Sequence, residues 1–272
     1  MPLINPVQIR SDERSSCLLK DSTLDTTIET FNKSGFVILD NVLPGSLISA
    51  LRIEVNKELS KKYCGKSDKT KHKMGHGGII APLRPPFIDP SIIENPLVLQ
   101  ILERLFGKYF YGCFPYGCNT AFPGSAAQNI HRDCGHLFPE LHVKTPPVLI
   151  VVNISLDKFT DANGATEIWP GSHQEMMDET HEIETLRVNP GRALERDSVR
   201  TLMSSGSIVL RDMRTWHRGM PNFTNKSRTM LSLVYYRQYY LPDGLSLPIP
   251  VDSGGFWDQL SPRAKRIYRL KE

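Results

Sequence analysis

Apolar positions along the first third of the chain recur at helical spacing. Between Asp21 and Ser34, the residues Leu24, Ile28 and Phe31 fall on one face, and Gly35 follows as a stop. From Gly45 to Tyr63, Leu47, Leu51, Val55 and Leu59 repeat at four-residue steps with Glu and Lys between them, which predicts an amphipathic helix. A third helix is marked by its ends: Asn95 as N-cap, Pro96 at the first position, and Gly107 after Phe106. Phe36 to Leu39 lacks that period and reads as a short buried strand.

Beyond Lys108 the texture changes. Short β-rich runs alternate with Gly, Pro, Asn and Asp: Tyr109–Tyr116, Val148–Ile154, Ala165–Trp169, Ser207–Leu210 and Thr229–Tyr240. Helices followed by many short strands predict an all-β core with flanking α-helices, as a barrel or sandwich. One domain over 1–272 is expected, with a mainly helical part and loop at 1–107, the β core at 108–240 and a C-terminal segment at 241–272. The stretch from Cys64 to Pro90 carries lysines, then Gly75, Gly77 and Gly78, then four prolines. It is longer than ordinary connections and is expected to act as a lid, mobile from Met74 to Pro86 without substrate. A second Pro- and Gly-rich stretch, Leu241 to Gly255, is a further candidate to cover the barrel mouth.

Composition narrows the function. Hydrophobic residues are 40% and charged residues 23%, a globular mix that excludes a wholly disordered chain. Lys and Arg number 33 against 29 Asp and Glu, and a net +4 does not point to nucleic acid. No run approaches the ~18 uninterrupted apolar residues of a membrane helix. Five cysteines without a Cys-x-x-Cys pair argue for free thiols. The first twenty residues hold no apolar signal core and the chain ends Leu-Lys-Glu, so a cytoplasmic location is expected.

The chemistry concentrates in two places. His131 and Asp133 form a His-x-Asp pair, and in an extended strand residues i and i+2 share a face. Far downstream lies His217-Arg218-Gly219, then a Pro- and Asn-rich turn, then Arg228. A hairpin about residues 222–223 is expected to set 217 opposite 228. Two His and one carboxylate leave three positions of a metal open, the facial triad of non-haem Fe(II) oxygenases. An oxo-acid can chelate through two of those positions and dioxygen can take the third. An arginine at 228 suits a carboxylate held bidentately.

These residues resemble the phytanoyl-CoA dioxygenase superfamily of Fe(II)/2-oxoglutarate-dependent oxygenases. Three blocks carry the resemblance: Gln128-x-x-His131-x-Asp133, Asn163 to His173 with its Pro-Gly-Ser-His end, and His217-Arg218-Gly219 with Arg228. The resemblance implies a double-stranded β-helix (a cupin-like jelly roll) with helices outside. It implies His131, Asp133 and His217 as catalytic iron ligands and Arg228 on the distal carboxylate of 2-oxoglutarate. Gln128 and Thr166 match positions near the cosubstrate, and Asn119 and Asn153 are further polar candidates. Gln128, three residues before His131, needs a bulge or loop to share its face. Met74, His76, His136 and Phe138 are candidates to touch substrate. Halogenases of the superfamily replace the metal carboxylate with a small residue, so the presence of Asp133 favours oxygenation.

The expected activity is therefore oxidation, foremost hydroxylation, of a small organic metabolite, as in secondary-metabolite biosynthesis. Fe(II), 2-oxoglutarate and O2 would be required, in a monomer or homodimer without nucleic-acid or membrane partners. An acyl-CoA hydroxylase of the same family is the alternative. A zinc hydrolase using the same His/Asp/His set is a second one, but no general base stands beside the ligands and Arg228 would lack a purpose.

Overall fold

The long strand Arg228–Arg237 organises the protein because three other strands pair with it. A computed structural model describes residues 5–63, 73–141, 143–177, 180–240 and 257–268. The Leu241 to Gly255 stretch and Lys66, Lys69 and Lys71 lie outside the described residues. In chain order the strands are β1 Val7–Gln8, β2 Phe36–Asp40, β3 His76–Ile80, β4 Phe110–Gly112, β5 Gly117–Ala121 and β6 Leu149–Ser155. They continue with β7 Glu167–Ile168, β8 Val199–Arg200, β9 Ile208–Asp212, β10 His217–Arg218 and β11 Arg228–Arg237. The helices are α1 Ser11–Ser16, α2 Asp21–Ser34, α3 Gly45–Tyr63, α4 Pro90–Ile93, α5 Pro96–Phe106, α6 Thr180–Thr185, α7 Pro190–Leu194 and α8 Pro262–Ile267.

Among the described residues, eight strands form one mixed sheet in the order β1-β2-β9-β6-β11-β5-β3, with β4 also on β11. A second sheet of three runs β10-β7-β8. Alternation along β11 explains the layers. Leu231, Leu233 and Tyr235 point outward into the main core, with Ile150, Val152 and Ile154 of β6 beside them. Phe31 of α2, Leu51, Val55 and Leu59 of α3, and Leu97 to Phe106 of α5 cover that face. The other face of the large sheet looks onto a cavity that the small sheet closes from the far side.

The helices begin and end where their chemistry dictates. Asn95 Oδ1 accepts from Leu97 N and Val98 N at 3.1 and 3.2 Å, and Gly107 N closes α5 on Glu103 O. Gly35 ends α2 in the left-handed region (φ +81°), and a Cβ there would stand 2.5 Å from His173 Nδ1. Ile48, rather than Leu47, is the buried residue of the first turn of α3.

Two expectations change. The segment at 76–80 is not a loose lid but an edge strand, with His76 opposite Ala121 and Ile80 opposite Gly117 on β5. Its glycines permit that pairing: a Cβ on Gly78 would lie 1.8 Å from Cys118 O. Nor do 217 and 228 face each other in a hairpin. β10 pairs with β7 in the small sheet, while β11 lies in the large one. The turn between them crosses from sheet to sheet and is held by Asn222, which is fully buried. Its Nδ2 donates to Ala121 O and Lys226 O, and its Oδ1 accepts from Thr224 N.

A buried ionic brace backs the small sheet. Arg132 Nε and Arg192 Nη1 donate to the two oxygens of Glu182 at 2.7 and 2.6 Å. Both guanidinium groups also stack on Trp216, at 5.5 and 5.1 Å from a ring centroid. His136 joins the brace through Nε2, 2.8 Å from Glu175 O and 3.3 Å from Arg132 Nη1. Burial, with the charges of Arg132 and Arg214 beside it, pushes this imidazole down to about 4 despite the bond to Glu175 O.

Two outcomes are expected. Asn222→Ala removes the side-chain donor to the carbonyls of Ala121 and Lys226 and the acceptor for Thr224 N, and should cost ~1–3 kcal/mol in denaturant unfolding. The fold holds His136 neutral, so its contribution is complete above its unfolded value of 6.5 and is lost as pH falls through about 4. Stability should therefore decline from pH 6.5 to 4, by up to ~3 kcal/mol from this group. His136→Gln should flatten that decline; an unchanged slope in urea titrations at the two pH values would remove His136 from the account.

Candidate metal centre

His131, Asp133 and His217 come together on the inner side of the small sheet. His131 and His217 form an antiparallel bridge, each backbone N donating to the other's carbonyl at 3.0 Å. The two rings lie with centroids 4.3 Å apart. Asp133 N donates to Met213 O at 2.8 Å, which fixes the carboxylate beside them. One potential ligand atom from each of the three residues falls within 4.8 Å of the others.

The donor set fits a divalent metal. His131 Nδ1 lies 2.8 Å from Asn129 O, and His217 Nδ1 lies 3.0 Å from Thr215 O. A carbonyl accepts, so Nδ1 carries the proton in each ring and Nε2 presents a lone pair toward Asp133. Burial and then Arg211 hold the His217 imidazole well below its ordinary value, so it is neutral. Burial alone would raise the Asp133 carboxyl, but the positive charge of Arg211, whose guanidinium also donates to it, holds it well below the usual carboxylate range. The neutral His217 imidazole and the ionised Asp133 carboxylate are in the forms that a metal of this type requires.

A cavity of about 440 Å³ opens from this cluster. Arg228, 3% exposed, stands on its wall at the start of β11. Its Nη2 donates to Gly164 O at 2.6 Å, and its guanidinium carbon sits 4.4 Å from the Phe159 ring centroid. Nε has no partner, and among the described residues no carboxylate forms an ion pair with it. Burial pushes this guanidinium down to about 10, still a cation at neutral pH. Asp157 is the nearby acidic group but forms no ion pair with it, and a buried cation without a direct ion-pair partner is a place prepared for an anion.

The other expected residues divide in two. Gln128, Thr166, Asn119, Asn153 and His76 all line the cavity. Gln128 precedes the bridge on irregular backbone, so no strand turns it away. Its Oε1 accepts from Gly219 N and its own N donates to Gly219 O. Gly219 must lack a side chain there: a Cβ would meet Gln128 Oε1 and His76 Cε1 at 2.7 Å. Asn119 and Asn153 both donate through Nδ2 to Ser232 Oγ, at 3.0 and 2.8 Å.

Met74, His136 and Phe138 are not among the lining residues. His136 is turned into the ionic brace, Met74 sits in a left-handed turn with its side chain partly exposed, and Phe138 faces solvent. Ser232, Met203, Phe159 and Arg211 line the cavity without having been anticipated. A period-two reading of β11 from Arg228 reaches Ser232, but nothing in the local sequence of β9 marks Arg211.

Residues 31–230 match the family described as phytanoyl-CoA dioxygenase (PhyH). The dioxygenase aneA of Aspergillus aculeatus is 33% identical over 161 residues, 54% of this chain and 53% of its own length. The iron/alpha-ketoglutarate-dependent dioxygenase ausU of Aspergillus calidoustus is 28% identical over 210 residues, 72% of this chain and 65% of its own. The chain thus spans about half to two thirds of these two relatives. Among solved structures, the epimerase SnoN in complex with Fe3+, alpha ketoglutarate and nogalamycin RO superimposes with a TM-score of 0.66 at 17% identity. That match covers 84% of this chain and 91% of SnoN, and it is a likeness of fold. With the family match running from the end of α2 into β11, the chain belongs to the phytanoyl-CoA dioxygenase (PhyH) family.

Proposed function

We propose that this protein hydroxylates a small organic metabolite while 2-oxoglutarate is converted to succinate and carbon dioxide. It is an iron(II)- and 2-oxoglutarate-dependent dioxygenase, and the observation that carries the reading is the pairing of two features in one cavity. One is the His131/Asp133/His217 cluster; the other is the buried, uncompensated Arg228. A zinc hydrolase has use for the first feature alone. We read the two sheets that enclose the cavity as a double-stranded β-helix.

The chain's own residues divide the work. Nε2 of His131, Nε2 of His217 and the Asp133 carboxylate would hold iron on one face. When bound, iron(II) supplies the redox chemistry that divides dioxygen between the substrate and the new succinate carboxylate. Arg228 would grip the distal carboxylate of 2-oxoglutarate, with Gln128 and Thr166 flanking its path to the metal. Val151, Val209, Val234, Ile168, Met203 and Met213 give the cavity apolar walls that exclude water from the reacting atoms. Its size suits a small molecule, within the ~300–1,000 Å³ range of ordinary ligand pockets. A solved neighbour named an epimerase shares this fold, so the fold by itself does not fix hydroxylation as the outcome, and the reading rests on the site.

Reconstitution without oxygen tests the site. Wild type with Fe(II) and 2-oxoglutarate should show the weak visible charge-transfer band of a chelated oxo-acid. His131→Ala, Asp133→Ala and His217→Ala should each abolish it. A wild type that binds only zinc and turns over without oxygen would overturn the reading. A screen of candidate metabolites for stimulated succinate release then identifies the substrate.

Arg228→Ala should raise the requirement for 2-oxoglutarate by the ~1.5–3 kcal/mol of a charged hydrogen bond, leaving iron affinity near wild type. Arg228→Lys should recover part of the loss, because lysine offers charge without the planar fork. Unchanged cosubstrate affinity in Arg228→Ala would assign the carboxylate to another cation.

A further inference from the structure

Arg211 is a charged side chain inside the cavity that neither the metal set nor the cosubstrate site employs. It lies on β9 opposite Val151 of β6, and both line the cavity. Only 6% of its side chain is exposed. Nη2 donates to Asp133 Oδ2 at 2.5 Å, while Nη1 is buried without a partner. Among the described residues Asp133 is its ion-pair partner, so no competing acceptor draws the guanidinium away.

The histidines alone do not determine how Asp133 meets a metal. Its Oδ1 lies 3.7 Å from His131 Nε2 and its Oδ2 lies 3.6 Å from His217 Nε2. The two oxygens are therefore placed almost symmetrically with respect to the imidazoles. A carboxylate so placed can bind through one oxygen or both. The difference matters, because a second oxygen would occupy a position that an oxo-acid or dioxygen needs.

Arg211 breaks the symmetry. Its N–H engages a lone pair of Oδ2, and its positive charge repels a cation from that side. Both effects direct a metal toward Oδ1. We propose that Arg211 is a positioning residue that holds Asp133 to the metal through Oδ1 alone and thereby keeps one coordination position open. This rests on the metal reading given above.

The test counts water on the metal rather than turnover. Mn(II) alone is bound to wild type, Arg211→Met and Arg211→Lys, and its electron paramagnetic resonance lines are compared in ordinary and 17O-enriched water. In an octahedral shell wild type should hold about three inner-sphere waters, Arg211→Met about two, and Arg211→Lys about three again. Mn(II) affinity of Arg211→Met should stay within about threefold of wild type, which a merely collapsed site would not show. Circular dichroism of the metal-free variants checks folding. Should the methionine variant not fold, Arg211→Gln, too short to reach Oδ2, carries the same expectation of one lost water. A wild-type water count in the folded variant overturns the inference and leaves the metal reading intact. Wild type that fails to bind Mn(II), or binds it equally after His217→Ala, overturns both.

Discussion

Two backbone hydrogen bonds, from His131 N to His217 O and back, join segments that are remote in sequence and make the site possible. They act through one extended tripeptide. His131 and Asp133 turn to the cavity, whereas Arg132 between them turns away. That outward residue is anchored in the brace of Glu182, Arg192 and Trp216. Alternation along this short segment thus gives the candidate ligands on one face and their anchor on the other. The anchor is ionic and almost fully buried. Removing Arg132 would leave one oxygen of the buried Glu182 carboxylate without its donor while Arg192 still answers its charge, a loss of ~1.5–3 kcal/mol for a charged hydrogen bond. The brace supports ligand placement more than it contributes net stability, since an ion pair out of water gains little over well-packed apolar groups.

Charge in and behind the cavity is arranged by compensation. On its wall Asp133 answers Arg211, and outside it Asp212 answers Arg214 through two bonds from the guanidinium. Arg228 breaks the rule among the described residues, with a carbonyl and an aromatic ring as its neighbours. The ring supplies a cation–π contact, which offsets part of the desolvation but not the missing negative charge. A second metal-free feature points the same way. Nδ1 of both cluster histidines is committed to a carbonyl, so the lone pairs converge before any ion arrives. The site is preorganised at both ends, and the preorganisation is legible without a bound ligand.

How much of this the sequence disclosed depended on how local each signal was. α2, α3 and α5 have the limits that periodicity, Asn95, Pro96 and the stops at Gly35 and Gly107 predict, because each signal lies within the element it defines. The expected runs overlap β2, β6, β7, β9 and β11, but β1 and β8 were not anticipated and Tyr109–Tyr116 holds only the shorter β4, with β5 beginning just after it, since pairing partners rather than residue preferences set strand ends. The edge strand β3 was hidden by its glycines, which read as a flexible loop until β5 is placed against them. Of the candidate ligands, His131 and Asp133 were visible through their short spacing and His217 through the His-Arg-Gly run that begins with it, and the turn after His217 was visible through Pro221 and Asn222. The sheet to which each of its flanks belongs was not, because a turn residue specifies a reversal and not the partner on either side. Arg211 left no trace, being a lone charge in an otherwise apolar strand whose meaning is given only by Asp133 across the cavity.

The order of chemistry along the cavity is set by strand register. On β11, Arg228, Met230, Ser232 and Val234 line it, and Met230 stands opposite Asn119 while Ser232 stands opposite Asn153. On β6 and β9 the pairings Asn153 with Val209 and Val151 with Arg211 continue the same rows. One cation therefore stands at each end of this face, with amides, a hydroxyl and aliphatic groups between them. Arg228 belongs to the row of Ala121 and His76, and Arg211 belongs to the row of Val151 and Val234. A slip of one residue would carry all of these side chains to the helix-covered face and bring Leu231, Leu233 and Tyr235 inward. The helices resist that slip, because those three side chains are nearly inaccessible in the core they build. The apolar packing outside the sheet is what keeps the polar sequence inside it in order, so the core sets the spacing between the two buried cations on the cavity wall.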